Sequence, residues 1–389
     1  MFFKQRSYES IKNSKLREHQ KNYFDRLWVN SWLKGDIPFD FTNNSYYAES
    51  LAANFFDIIK NTNKKNKEKI KILEVGSGSW LFGLNFLKSF EEISYNSNTN
   101  YYNNLEYHFS DYSETIINDL KRNSHIKKYL SKDKARVQKF DITTDYLETN
   151  YDLVILNYVV CNIPFDYILR EKEVFYQKLV NFDPGSYLMK YEFQETNDFS
   201  YKNTITNYFD QKGYNKTSLP VAFFKFIENI FKENKNLWVY IWDSELDSAW
   251  EFDIKSYGGD FFGGVDFELL EFWSNSNNLN TIQKKFDAWN FVKSFVTNSF
   301  DTAVLNQIHK ALEAQKDDYL YNKMKKYYNL VKSWYYKEAE EIIADVLNYR
   351  KNDANIYYHY SKVLQKQKKP YKRVLDKAKQ LDYLGIYNL

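Results

Sequence analysis

At 389 residues with a net charge of +3, the chain has room for two domains and lacks the basic excess that broad nucleic-acid binding needs. One cysteine, Cys161, excludes an intrachain disulfide, and five scattered histidines show no metal-ligand spacing. No run reaches the roughly 18 apolar residues of a membrane span, and the first residues lack an apolar signal core, so a cytoplasmic protein without membrane or nucleic-acid partners is expected.

Residues 1–40 are polar and aromatic with helical character, and assign themselves no role. Asn43, Asn44 and Ser45 offer caps for a helix over 46–60, with Tyr47, Leu51, Phe55 and Ile58 on one face. A charged linker leads to a first strand at 70–75, then a helix over 81–90. The polar stretch 94–104 reads as a loop insertion delaying a second strand at 105–110. A helix over 113–130 and a third strand at 135–140 follow. Residues 151–160 form a fourth strand, nearly all apolar after Asp152, as a central parallel strand should be. A helix over 166–181, a turn at Asp183-Pro184-Gly185 and a fifth strand at 186–193 complete the alternation. Residues 196–236 predict a helical lid or cap. Segments 237–241 and 249–254 predict a closing antiparallel pair, and from about 280 the chain reads as helical.

Strands alternating with helices predict an α/β fold with a doubly wound, mostly parallel seven-stranded sheet. Ligands of such sheets bind beyond the carboxyl ends of the strands. The first strand ends in Glu74-Val75-Gly76-Ser77-Gly78. Glycines let the turn adopt unusual dihedrals and bring backbone close to a ligand. A dinucleotide fingerprint would need glycine at position 81, which is Leu, and Glu74 would repel a pyrophosphate. An acid there suits a ligand carrying positive charge, such as S-adenosylmethionine.

The other strand ends carry Asp111, Asp141 and Asn157. Asp111, with Tyr112 beside it, either accepts ribose hydroxyls or caps the helix starting near Ser113. Asp141 either accepts an adenine amine, with Ile142 against the ring, or is a solvated loop acid. Asn157 and Tyr158 are placed to orient an acceptor beside a reactive methyl group, the two candidate catalytic residues. Cys161 reads as a buried thiol.

These elements in this order resemble the class I S-adenosylmethionine-dependent methyltransferases over about residues 45–255. The resemblance implies that Glu74, Gly76, Ser77 and Gly78 hold the methionine end, Asp111 and Tyr112 the ribose, and Asp141 and Ile142 the adenine. It also implies that Asn157 borders both cofactor and substrate. Asn162-Ile163-Pro164-Phe165 is similar to the Asn-Pro-Pro-Tyr signature of amino-group methyltransferases, but departs at its second position and starts five residues after the expected strand end. Asn157 to Pro164 also resembles the Asn-Glu-x-x-Asp-Ala-Leu-Pro run of the MidA-like group, with Tyr158 and Cys161 replacing its two acids. Phe41-Thr42 and Glu49-Ser50-Leu51-Ala52 loosely resemble that group's N-terminal segment.

Residues 242–273 combine acids (Asp243, Glu245, Asp247, Glu251, Asp253, Asp260, Asp266, Glu268, Glu271) with aromatics, and Lys255 is the only base among them. They read either as a face selecting a cationic amine or as a solvated hairpin with aromatics turned inward. An amine-bearing protein or peptide acceptor is favoured. A small-molecule acceptor and a non-catalytic scaffold are the alternatives. Residues 321–383 predict four helices, and the recurrence of Tyr336-Lys337 at Tyr371-Lys372 resembles tetratricopeptide repeats. These helices are expected to pack on the catalytic domain or to pair two subunits. The expected domains are a helical segment over 1–69, the cofactor domain over 70–275 with its insertion at 196–236, and the helical part over 280–389.

Overall fold

The computed structural model describes residues 8–27, 30–33, 42–62, 69–147, 150–186, 188–234, 236–246, 255–257, 260–286 and 290–385. Phe41 and residues 247–254 of the acidic segment lie outside the described residues, and so does the strand expected at 249–254.

The chain begins with a two-residue strand β1 (Glu9–Ser10), helix α1 (Lys15–Leu27) and short α2 (Asn30–Leu33). Helix α3 (Ser45–Asn61) starts where Asn44 accepts a hydrogen bond from the Tyr46 amide at 2.8 Å. Strand β2 (Ile70–Val75), α4 (Leu81–Asn96), α5 (Tyr101–Asn104) and β3 (Leu105–Asp111) follow. The polar insertion therefore extends one helix and forms another. The helix expected over 113–130 is two, α6 (Glu114–Arg122) and α7 (Ser124–Leu130), because Asn123 ends one and caps the other. Strands β4 (Ala135–Lys139) and β5 (Leu153–Asn157) come next.

The helix expected over 166–181 is an antiparallel hairpin, β6 (Asp166–Glu171) and β7 (Val174–Asp183). Lys172 and Glu173 form the two-residue turn between them, with Lys172 at φ 55°. Segment 186–193 does form a strand, β8 (Leu188–Glu195), but it pairs with β7. With β9 (Lys216–Leu219) and β1, these strands make a second, five-stranded sheet.

The expected lid at 196–236 is α8 (Lys202–Lys212), β9 and α9 (Val221–Glu233). Helix α9 is the crossover to β10 (Trp238–Ser244), and its apolar face is buried in the main core. Beyond it lie β11 (Lys255–Tyr257), β12 (Asp260–Phe262) and α10 (Phe267–Ser276). Residues expected to be helical from 280 instead form β13 (Asn280–Phe286) and β14 (Phe291–Thr297). They complete the main sheet, because β14 covers the open edge of β10 and every residue of β14 is buried.

The main sheet has the order β13-β14-β10-β5-β2-β3-β4. Five strands run parallel, and β14 and β13 run antiparallel at one edge. The strand order reverses between β2 and β5, where a doubly wound sheet opens a crevice at its carboxyl ends. Helices α11 (Thr302–Glu313), α12 (Asp317–Lys332), α13 (Tyr336–Leu347), α14 (Ala354–Lys366) and α15 (Lys372–Leu381) end the chain. The last four pack as successive hairpins, and α12, α13 and α14 share a small core of their own. They dock on the α/β part: the Lys316 amide donates to the Tyr46 hydroxyl at 2.9 Å, and Asn352 donates to Glu49 at 3.0 Å. Among the described residues no helix is long and apolar enough to cross a membrane.

Candidate active site

The ends of β2, β3, β4 and β5 surround one cavity. Glu74, Gly76, Ser77, Gly78, Asp111, Tyr112, Asp141, Ile142, Asn157 and Tyr158 all line it, so ten positions singled out in the sequence converge in space.

The glycine turn is held from below. The Ser77 amide donates to the Ser110 carbonyl at 2.8 Å, and the Ser110 amide donates to Ser77 Oγ at 3.0 Å. Gly76 sits at φ 69° and Gly78 at φ 46°, a region costly for residues with a Cβ. A Cβ on Gly76 would also meet Val159 at 2.9 Å. Gly83, two residues too late for the dinucleotide fingerprint, has another task. A Cβ there would meet the rings of Phe109 and Tyr107 at 2.4 and 2.9 Å and Glu74 Oε2 at 2.6 Å. It lets α4 lie close on the sheet.

Glu74 is buried, and its Oε2 lies beside Gly83 and the Tyr107 ring, beneath α4. Burial is the main cause pushing its carboxyl up to about 8, and the nearby Asp111 charge adds to it. Asp111 is also buried and pushed up to about 6 by burial, although amide donors pull the other way. The Gly78 amide donates to its Oδ2 at 3.1 Å and the Ser113 amide to its Oδ1 at 3.0 Å. Each oxygen keeps a second lone pair for a ligand. The helix cap expected as the alternative role of Asp111 is Ser113, whose hydroxyl accepts from the Ile116 amide.

Asp141 is more fully engaged. Its Oδ1 accepts from the Thr143 amide and hydroxyl at 3.0 and 2.6 Å, and its Oδ2 pairs with Lys21 at 2.7 Å. Asn157 donates through Nδ2 to the Thr42 carbonyl at 2.7 Å, while its buried Oδ1 has no partner. Tyr158 adopts φ 59°, its amide donates to the Trp242 carbonyl at 2.7 Å, and its ring stacks on Phe291. Cys161 is buried, and its amide donates to Asp243 at 3.1 Å.

The roof was not legible in the sequence. Helix α1 spans the strand ends: Gln20 donates to Asn162, Lys21 to Asp141, Phe24 packs edge-on against Tyr112, and Asp25 accepts from Ser113. Phe24, Thr42 and Asn43 line the cavity, and no residue of 196–236 does. The cover assigned to that insertion belongs to the N-terminal segment. The only available signal was the amphipathic spacing of Gln20, Phe24 and Leu27.

Among the described residues, three acids of this segment have separate structural partners. Asp266 is buried, caps α10 and accepts from Tyr208 and Thr217 at 3.1 and 2.6 Å. Asp243 is buried beneath Cys161, and Glu268 accepts from Tyr214 at 2.9 Å. Among the described residues, no cluster of His, Cys, Asp and Glu is arranged to hold a metal ion.

No family model and no curated protein matches this chain. Among solved structures, it is similar to a candidate methyl transferase from Burkholderia thailandensis bound to S-adenosyl-homocysteine. The two share 12% identity over 66% of this chain and 77% of that one, with a TM-score of 0.45. A second, uncharacterized protein from the same organism is 10% identical over 75% of this chain and 87% of that one, with a TM-score of 0.47. The DhpI–SAH complex is 11% identical over 72% of this chain and 96% of that one, with a TM-score of 0.38.

Proposed function

We propose that this chain is an S-adenosylmethionine-dependent methyltransferase acting on an amine-bearing acceptor, a protein or peptide side chain in the first instance. One observation carries the reading. Asn157, whose buried Oδ1 has no hydrogen-bond partner, lines the same cavity as the buried acids Glu74 and Asp111. Leaving such an atom unpaired costs about 1–3 kcal/mol, and with two buried carboxyls beside it a ligand bringing donors and positive charge is favoured there. The ammonium and ribose hydroxyls of S-adenosylmethionine are such donors.

In this reading Glu74, Gly76, Ser77 and Gly78 receive the methionine end. Asp111 and Tyr112 receive the ribose. Ile142 packs against adenine, and Asp141, held by Thr143 and Lys21, lies on the adenine side of the cavity. S-adenosylmethionine supplies a methyl group on a sulfonium, a good leaving group. The chain's own task is alignment and exclusion of water. Helix α1 and Phe24 close the cavity from above. Asn157 and Tyr158 orient the acceptor, and Asn157 Oδ1 holds the amine by an N–H so that its lone pair can be aimed. A small amine is the second reading, favoured by the closeness of the α1 roof, which admits a narrow acceptor.

Calorimetric titration with S-adenosylmethionine and S-adenosylhomocysteine, on wild type and Asn157→Ala, tests the cofactor. Binding by wild type is expected, and absence of binding by the folded chain overturns the reading. Labelled methyl transfer into proteins rather than extractable amines then decides between the two acceptors.

A further inference from the structure

The second sheet ends in an unusual edge. Strand β8 pairs with β7 over its whole length, Tyr176 opposite Glu195 through Asp183 opposite Leu188. Among the described residues no strand pairs with its other edge. The Thr196 amide donates to the Phe175 carbonyl at 2.9 Å, which fixes the phase of this ladder. Even-numbered residues of β8 bond toward β7. The backbone groups of Met189 and Phe193 point to the open edge. The strand has no proline or bulge, and Leu188 and Phe193 are 62% and 46% exposed. A long, flat edge of this kind is a template for another strand.

We propose that this edge pairs antiparallel with β8 of a second copy of the chain, joining the two small sheets into one continuous sheet across a twofold axis at Tyr191. The side chains select this occupant and this register. With the axis at Tyr191, Lys190 of one copy faces Glu192 of the other, and the symmetry makes that ion pair twice. On the opposite face Met189 meets Phe193 of the second copy, also twice. Leu188 meets Gln194, so no like charges are opposed. The backbone phase fits this register: Met189 and Phe193, whose backbone groups face outward, oppose each other across the axis. Shifting the axis by one residue keeps the backbone phase but sets Lys190 against Lys190, or Glu192 against Glu192, of the second copy. A heterologous strand would need its own complementary charges, whereas a second copy supplies them by symmetry. This proposal stands apart from the methyltransferase reading.

Sedimentation of the full chain across a concentration series tests it. Wild type is expected to dimerise. Lys190→Glu opposes carboxylates at both symmetry-related positions and should weaken the dimer about tenfold or more. The double variant Lys190→Glu/Glu192→Lys restores the complementary charges and should restore dimerisation. Phe193→Pro removes an outward N–H without touching a β7 bond and should abolish it. Near-UV circular dichroism checks that each variant keeps its fold. A wild type that stays monomeric at its highest soluble concentration overturns the proposal, as does a dimer indifferent to Lys190→Glu.

Discussion

Asp111 Oδ2 accepts a hydrogen bond from the Gly78 amide at 3.1 Å, so the acid ending β3 holds the glycine turn ending β2. The residue proposed to bind ribose therefore also shapes the neighbouring half of the cavity. Asp111→Ala strands the Gly78 and Ser113 amides, and should cost about 1–3 kcal/mol of stability besides abolishing S-adenosylhomocysteine binding. Asp111→Asn keeps an acceptor and should recover most of the stability but not the affinity. Thermal melts paired with calorimetry separate the two effects.

Glu74 gives a pH signature. Its folded-state value, about 8, lies above its ordinary 4.5, so the native state holds a proton that the unfolded chain releases between those values. Stability from this group is present below about pH 4.5 and lost as pH rises toward 8. Glu74→Gln should flatten that decline. A cationic ligand would ionise Glu74, so S-adenosylmethionine binding near pH 7 should release protons. Titration in buffers of different ionisation enthalpy reads that release, and Glu74→Gln should remove it.

Gly83 tests the close approach of α4 to the sheet. Gly83→Ala places a methyl against Phe109, Tyr107 and Glu74 and should cost about 1–3 kcal/mol by overpacking. A denaturant midpoint unchanged from wild type would show that α4 can shift freely.

The Lys21–Asp141 pair tests the roof. Lys21 is partly exposed, so Lys21→Met should change stability by less than about 1 kcal/mol. It also removes one of the contacts holding α1 over the strand ends, so S-adenosylhomocysteine should associate faster. Stopped-flow binding with an unchanged rate would place the entry route elsewhere.

Lys293 on β14 pairs with Asp317 of α12 at 2.8 Å, both nearly inaccessible, with Tyr47, Trp242 and Phe286 around the ammonium. Removing one partner leaves a buried charge alone, and Lys293→Met should cost about 3–5 kcal/mol. Lys293→Met/Asp317→Leu should recover much of that loss, measured by denaturant unfolding.

The sequence by itself determined the strand-end chemistry. The apolar run before Glu74, the alternate glycines and the acids at 111 and 141 are local signals: a buried strand must be apolar throughout, and a tight turn must accept positive φ. It also determined the C-terminal helices, because amphipathic spacing is written in one segment. Only the tertiary structure decided what became of residues 166–195 and 280–297. Their strands exist because another strand completes their hydrogen bonds, β6 for β7 and β10 for β14, and no local window holds that partner. The same holds for the roof. Lys21, Phe24 and Asp25 come to hold the roof only because α1 crosses strand ends that lie far away in the chain, and the spacing within α1 does not say which strand ends it crosses.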